Sequence, residues 1–363
     1  MRVAYVCADP GIPVDGSKGA SVHVQQIVRA FQRRGDEVTV YATRSNAEDL
    51  VGARIVTVPV GRGDAAERER AVARAAEEIA DRIAADGCDL VYERFSLFSD
   101  AAARVQAPAI VEVNAPLIDE QRVHRTLVDE RGAVAAARRV LAGAATVACV
   151  SEPVADWARE HGSAPESTVV APNGVDTSAF APAAMSDGPL EVAFIGSLKN
   201  WHGVDVAIEA IAGLEGARLT IIGHGPERAR LEELAAERGA HVRWLGAIPH
   251  DDVPGVLAGM HVGVAPYPES ADSYFSPLKA FEYLAAGLAV VASATGQLPG
   301  IIDDGDIGIL VEPGSATALR EALRVLRDDR SLARRLGAAG RARAVARHDW
   351  DRTLERILPG AVR

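Results

Sequence analysis

The chain predicts an α/β fold of two doubly wound, parallel-sheet domains, and three observations carry that reading. Short apolar runs alternate with amphipathic helical segments from end to end, as strand–helix–strand units covered on both faces require. At 363 residues the chain is too long for one ordinary core. The stretch 181–189, rich in Ala, Asp, Gly and Pro, interrupts the alternation near its middle and reads as a linker.

Taken in order, the strand-like runs of the first half are 3–7, 37–41, 54–58, 90–92, 109–113, 146–150 and 168–171. Amphipathic segments at 22–34, 65–85 and 130–142 lie between them, and a further surface helix is expected over 125–139. After the linker the pattern restarts with strands at 190–195, 218–222, 242–245, 262–265, 289–292 and 309–311. Helices are expected at 204–211, 227–238, 253–258, at a segment opening on Ser276 and carrying Glu282, and at 316–327 and 331–348. The expected domains are therefore 1–180 and 190–345, with 346–363 as a terminal helix. In such sheets ligands bind beyond the carboxyl ends of the strands, so the cleft between the domains is the expected site.

Composition narrows the function. A hydrophobic share of 48% and a charged share of 25% are ordinary for a globular protein. The net charge of −11 is shared by both halves and no block of like charge occurs, which argues against a nucleic-acid partner. Cys7, Cys88 and Cys149 stand far apart in apolar sequence, as buried thiols of a reducing compartment do, and no metal-ligand spacing is present. The chain passes from Met1 straight into a strand, and no apolar run reaches membrane-span length. A cytoplasmic protein without a transmembrane segment is expected, with peripheral membrane contact left open.

The chemistry lies where strands end and helices begin. The loop DPGIPVDGSKGAS, from Asp9 to Ser21, carries Gly16 and Gly19, which allow close backbone approach, and Ser21, expected to cap the helix that bears His23. GSLKNWHGVD, from Gly196, holds Ser197, Lys199 and His202 where they can face an anion. GHGPE brings Gly223 and His224, and GAIP brings Ala247 and Ile248. In FSPLKAFEYLAAGLAVV, from Phe275, the residues Ser276, Pro277 and Leu278 open a helix whose free N–H groups seat phosphate. Lys279 adds a positive charge there, and Glu282 can accept hydrogen bonds from sugar hydroxyls. No GxGxxG fingerprint with a following ribose-binding acid is present, which excludes a nicotinamide oxidoreductase.

The runs PNGVD, IGSLKNWHGVD, IIGHGPER, WLGAIPHDDVP and SPLKAFEYLAAGLAVVAS, in this order and spacing, resemble the GT4 glycosyltransferases. The resemblance covers nearly the whole chain and is strongest from about residue 150 onward. It implies a GT-B fold of two Rossmann-like domains facing a cleft, with a last helix that crosses back to the first domain. It also implies retaining transfer from a nucleotide-diphosphate sugar, which is substrate and not cofactor, with no metal requirement. The acceptor would be a small molecule, a saccharide or a lipid-linked hydroxyl. The SPLK…EY and WHG motifs are similar to a variant subgroup of the family.

Several positions depart from the family pattern. Its first signature carboxylate falls on Tyr274, and the second on Glu282. The Arg and Lys of its diphosphate clamp fall on Ser197 and His202, so Lys199 and Lys279 are expected to supply the charge. A frequent family His falls on Asn114, expected to hydrogen-bond the acceptor. The resemblance implies Gly16, Gly19, Ser197, His202, Gly223, His224, Ala247, Ile248, Tyr274, Ser276, Pro277, Leu278 and Glu282 for the donor. Lys18, His23 and Glu120 are implied for the acceptor. A sugar-nucleotide epimerase or hydrolase on the same fold, and a non-catalytic sugar-nucleotide binder, remain as alternatives.

Overall fold

The computed structural model describes residues 1–183, 186–269, 274 and 276–358. The chain forms two compact units. Unit 1 comprises Met1–Asn173, Tyr274–Ser276 and Trp350–Arg363; unit 2 comprises Gly174–Ser273 and Pro277–Asp349.

The strands of unit 1 are β1 (Arg2–Cys7), β2 (Glu37–Ala42), β3 (Asp49–Leu50), β4 (Ala53–Thr57), β5 (Leu90–Arg94), β6 (Ala109–Val113), β7 (Thr146–Cys149) and β8 (Thr168–Val170). They make one sheet in the order β3-β4-β2-β1-β5-β6-β7-β8, parallel except where β3 meets β4. Buried Val, Ile and Ala predominate in β1, β6 and β7 because both faces are covered. The covering helices are α1 (Gly19–Arg33), α2 (Ala65–Asp86), α3 (Leu117–His124), α4 (Glu130–Gly143) and α5 (Glu152–Glu160). A reciprocal capping box between Asp64 and Glu67 fixes the start of α2.

Unit 2 has β9 (Leu190–Ile195), β10 (Ala217–Ile222), β11 (Val242–Gly246), β12 (Val262–Ala265), β13 (Ala289–Ser293) and β14 (Gly308–Val311). Its sheet is parallel throughout, in the order β11-β10-β9-β12-β13-β14. Its helices are α6 (Val204–Ala212), α7 (Arg228–Arg238), α8 (Val253–Leu257), α9 (Leu278–Ala285), α10 (Leu298–Ile302), α11 (Ala316–Asp328) and α12 (Arg330–Arg343). Ser315 caps α11 and Asp329 caps α12, each accepting a first-turn backbone N–H. The last helix, α13 (Trp350–Ile357), belongs to unit 1, where buried Trp350 meets His23 of α1 edge-on at 4.9 Å.

Strand order reverses direction at β1/β5 in unit 1 and at β9/β12 in unit 2, the places where a doubly wound sheet opens a crevice. In unit 2 the opening is visible in the register. Only Val192 and Ala193 of β9 pair with Val262 and Gly263 of β12, although β9 stays paired to β10 as far as Ile195. Beyond that point the Tyr283 hydroxyl of α9 bridges the gap. It accepts from the Ile195 N–H at 2.8 Å and donates to the Val264 carbonyl at 3.3 Å. The ring lies flat on Gly263, where a Cβ would stand 2.2 Å from Tyr283 Cγ.

Three expectations need correction. The chain passes between units at Asn173/Gly174, not at 181–189. That stretch lies inside unit 2, where the Ala183 N–H bonds the Ala286 carbonyl and Arg330 bonds the Gly188 carbonyl, with residues 184 and 185 outside the described residues. No single helix spans 125–139, because α3 ends at His124 and Asp129 caps α4 by accepting from the Gly132 N–H. Ser21 is not a cap either; α1 begins at Gly19, and Ser21 is buried within its first turn.

Replacing Gly263 by alanine should force Tyr283 off the strand. The expected cost is about 1–3 kcal/mol, the usual penalty for overpacking a filled core, read as a lowered midpoint in urea unfolding. An unchanged midpoint would mean that the ring moves aside freely.

Candidate active site

In unit 2 the loops after β9, β10 and β11 are laced together by their backbones. Gly196 N–H bonds the Ile222 carbonyl at 3.0 Å, Leu198 N–H the His224 carbonyl at 3.1 Å, and Gly223 N–H the Gly246 carbonyl at 2.7 Å. Gly223 has φ +143°, and a Cβ there would stand 1.9 Å from the Gly196 carbonyl oxygen, so only glycine lets these loops touch.

Lys279, on the first turn of α9, points into the split between β9 and β12. It is 7% exposed. Its Nζ lies 4.1 Å from the Phe194 ring centroid and 4.8 Å from that of Tyr267, and has no hydrogen-bond partner among the described residues. A Cβ on Gly196 would approach this nitrogen to 3.1 Å. Two aromatic faces favour a cation but satisfy none of its three donors. Burial pulls the ammonium down from the ordinary 10.5 to about 7, with Glu282 opposing.

Glu282, one turn further along α9, is raised by burial, against the pull of His250 and Lys279. His250 Nδ1 stands 3.6 Å from its carboxylate. In the loop after β9, His202 Nδ1 is 2.5 Å from the Ser197 carbonyl oxygen, which can only accept, so this nitrogen carries the proton. Burial, then Lys279 and Lys199, push His202 down to about 3, so it is a neutral ring with Nε2 as acceptor. Lys199 is half-buried, with Nζ 4.5 Å above the ring of the exposed Trp201. His224 and Ala247 are exposed and Ile248 is half-buried, at the ends of β10 and β11.

Unit 1 holds a second polar cluster at its own reversal point. Glu112, at the end of β6, accepts from Tyr92 hydroxyl at 2.9 Å and from the Asn114 amide at 3.0 Å. It also pairs with His23 Nε2 at 2.7 Å and with Arg94 at 3.5 Å. Burial alone would raise Glu112, but His23, Arg94 and the Tyr92 hydroxyl outweigh it and hold the carboxyl at about 2. Gly16 is half-buried, whereas Lys18 and Gly19 are exposed at the start of α1.

The structure thus brings together Ser197, Lys199, His202, Gly223, Lys279 and Glu282 within unit 2, whereas Gly16, Gly19, Tyr274 and Ser276 belong to unit 1. Tyr274 hydroxyl donates to Glu120, and its carbonyl accepts from Ser151. Ser276 does not cap α9. Pro277 holds the cap position, and Ser276 Oγ accepts instead from the Asn173 N–H at 3.1 Å. Phe275 lies outside the described residues. His23 is 2% exposed, with one ring nitrogen on Glu112 and its ring in a T-shaped contact with Trp350, so it supports the cluster from inside and presents nothing to an acceptor. Sequence reasoning missed Phe194, Tyr267, His250 and Arg94. Only the position of Arg94 at a strand end signalled it; the others are ordinary apolar or loop positions until the strands are ordered.

Residues 17–179 match the family model Glycosyltransferase Family 4, and residues 176–343 match Glycosyl transferases group 1. The chain belongs to the group 1, family 4 glycosyltransferases. Among relatives of this family, a phosphatidyl-myo-inositol mannosyltransferase of Mycobacterium tuberculosis is 34% identical over 52% of each chain. A glycogen synthase of the same species is 31% identical over 49% of this chain and 44% of its own. The chain thus spans about half the length of these curated relatives that it matches. A D-inositol 3-phosphate glycosyltransferase of Xylanimonas cellulosilytica is 27% identical over 94% of this chain and 90% of its own. Among solved structures, sucrose-phosphate synthase from Thermosynechococcus elongatus superposes with a TM-score of 0.77 at 22% identity, covering 98% of this chain and 97% of that one. The Anabaena HepE protein in complex with UDP and glucose gives 0.74 at 19% identity, covering 98% of both. These likenesses establish the GT-B fold. No helix among the described residues is long and apolar enough to cross a membrane.

A lysine held near 7 when folded and at 10.5 when unfolded opposes folding fully below about pH 7, and the opposition fades as pH rises to 10.5. Lys279→Met should therefore raise the melting temperature at pH 6.5, and the gain should shrink steadily toward pH 10. An equal gain at both pH values would show that charge burial is not what the lysine costs.

Proposed function

We propose that this chain transfers a sugar from a nucleotide-diphosphate donor to a hydroxyl acceptor, with retention at the anomeric carbon and without a metal ion. The observation that carries the proposal is Lys279, a buried amine with no hydrogen-bond partner among the described residues, at the strand-order reversal of unit 2. A site with unused donors and a helix N-terminus fits an anion. The diphosphate lies by Lys279, Lys199 and the first amides of α9, and charge growing on it as the sugar leaves is stabilised there. Glu282, beside His250, accepts from ribose hydroxyls. Asn114 in unit 1 hydrogen-bonds the acceptor, with Glu120 nearby in sequence on α3.

Two supports are external. HepE was solved with UDP and glucose, and the mannosyltransferase and synthase relatives carry names of glycosyl transfer. Retention rests on the family resemblance. In that mechanism the departing phosphate oxygen takes the acceptor's proton, so Asn114 need not act as a base.

A ribose-binding carboxylate acts on ground and transition states alike. Glu282→Gln should raise the donor KM by about tenfold and change kcat little, as initial-rate kinetics over a donor series would report. If kcat alone fell, Glu282 would belong to the chemical step.

Proton NMR of freshly formed product reads the anomeric configuration directly. Retention is expected. An inverted product would overturn the mechanism and call for a general base among the carboxylates of unit 1.

A further inference from the structure

The buried amine of Lys279 has a consequence beyond donor recognition. Its surroundings are two aromatic faces, the Gly196 backbone and a neutral imidazole, an environment that tolerates the uncharged amine when no anion is present. Among the described residues, the titratable and charged groups facing it are these. On α9 it has Glu282, whose carboxylate is engaged with His250. From the loop after β9 come His202, whose Nδ1–H is spent on the Ser197 carbonyl, and Lys199, a like charge. After β12 comes Tyr267, whose hydroxyl burial keeps protonated.

We infer that a nucleoside diphosphate binding at the split between β9 and β12 draws one proton from solvent onto Lys279 Nζ, so that the charge that holds the diphosphate is created by binding it. The inference rests on the donor reading above and concerns how that site acquires its charge. The balance is simple: the neutral amine takes one proton from water or buffer, and no bond to the ligand forms or breaks. An anion placed against the amine favours the charged form and reverses the effect of burial. The family's usual clamp residues fall here on Ser197 and His202, neither of which carries a charge, so these two positions supply no cation that would already be ionised.

Burial places the free amine near 7, so the effect should be read above that value, at pH 8, where the terminal phosphate of the ligand is already ionised. Isothermal titration calorimetry with UDP, GDP and ADP as probes, repeated in two buffers of different ionisation enthalpy, gives the number of protons taken up. For whichever probe binds, wild-type protein should take up close to one, and affinity should weaken by up to about tenfold per unit between pH 8 and pH 9. Lys279→Arg, which is charged in both states, should take up none and lose the pH dependence. Lys279→Gln should also take up none, and serves where the arginine does not fold. His202→Gln should keep the uptake. Binding without proton uptake by the wild type, or uptake that survives both Lys279 substitutions, overturns the inference and leaves the donor reading standing. If none of the three nucleotides binds, the donor reading falls and the inference with it.

Discussion

The Tyr283 hydroxyl stands in for a missing rung between β9 and β12, and unit 2 is organised around that substitution. At the reversal of strand order in unit 2, β9 and β12 pair only over Val192 and Ala193, which leaves room between their carboxyl ends. Here a phenol closes the ladder instead, satisfying the Ile195 N–H and reaching the Val264 carbonyl, so the strands part without leaving those two groups unpaired. Gly263 makes it possible by giving the ring a flat place to lie. Into the opening come Phe194 and Tyr267, one from each parted side, and between their rings the amine of Lys279.

The two units treat buried charge in opposite ways. In unit 1 Glu112 is surrounded by donors from β5, α1 and the Asn114 amide, and stays ionised because each oxygen is engaged. A fully partnered buried carboxylate fixes its neighbours in place, and removing one of them would leave the rest poorly compensated. In unit 2 Lys279 has aromatic faces but no acceptor among the described residues, and His202 spends its one proton on the backbone. The first arrangement is complete in itself. The second has unused donors, which is why it is the better candidate for a ligand.

The fold was largely legible in the chain. Strand runs such as 109–113 and 262–265 have the same bounds in the structure, because strands buried on both faces leave an apolar signature independent of their partners. Loops facing the carboxyl edge of the unit 2 sheet could be named from their glycines and their lysines. The errors fall where a local signal was outvoted by distant contacts. The residues 181–189 look like a linker, yet Arg330 and the Ala286 carbonyl hold that stretch to unit 2. Ser21 has a capping side chain, but the helix begins before it and buries it. The use of the Ser276 hydroxyl was likewise not legible locally, since Asn173, more than a hundred residues away in sequence, donates its N–H to that oxygen.

By itself the sequence determined two parallel α/β units and the residue types that stand at the carboxyl edge of the unit 2 sheet, because these depend on local periodicity and on turn chemistry. It placed Lys279 and Glu282 on one helix, since positions three apart share a face. Only the tertiary structure decided their states. Whether a lysine is a solvated cation or a buried amine near 7 depends on Phe194 of β9 and on Tyr267 just past β12, whose rings enclose it. Whether His23 meets a ligand or props up Glu112 depends on Trp350, brought back from the far end of the chain. Desolvation and long-range pairing set both outcomes, and neither leaves a mark in local sequence.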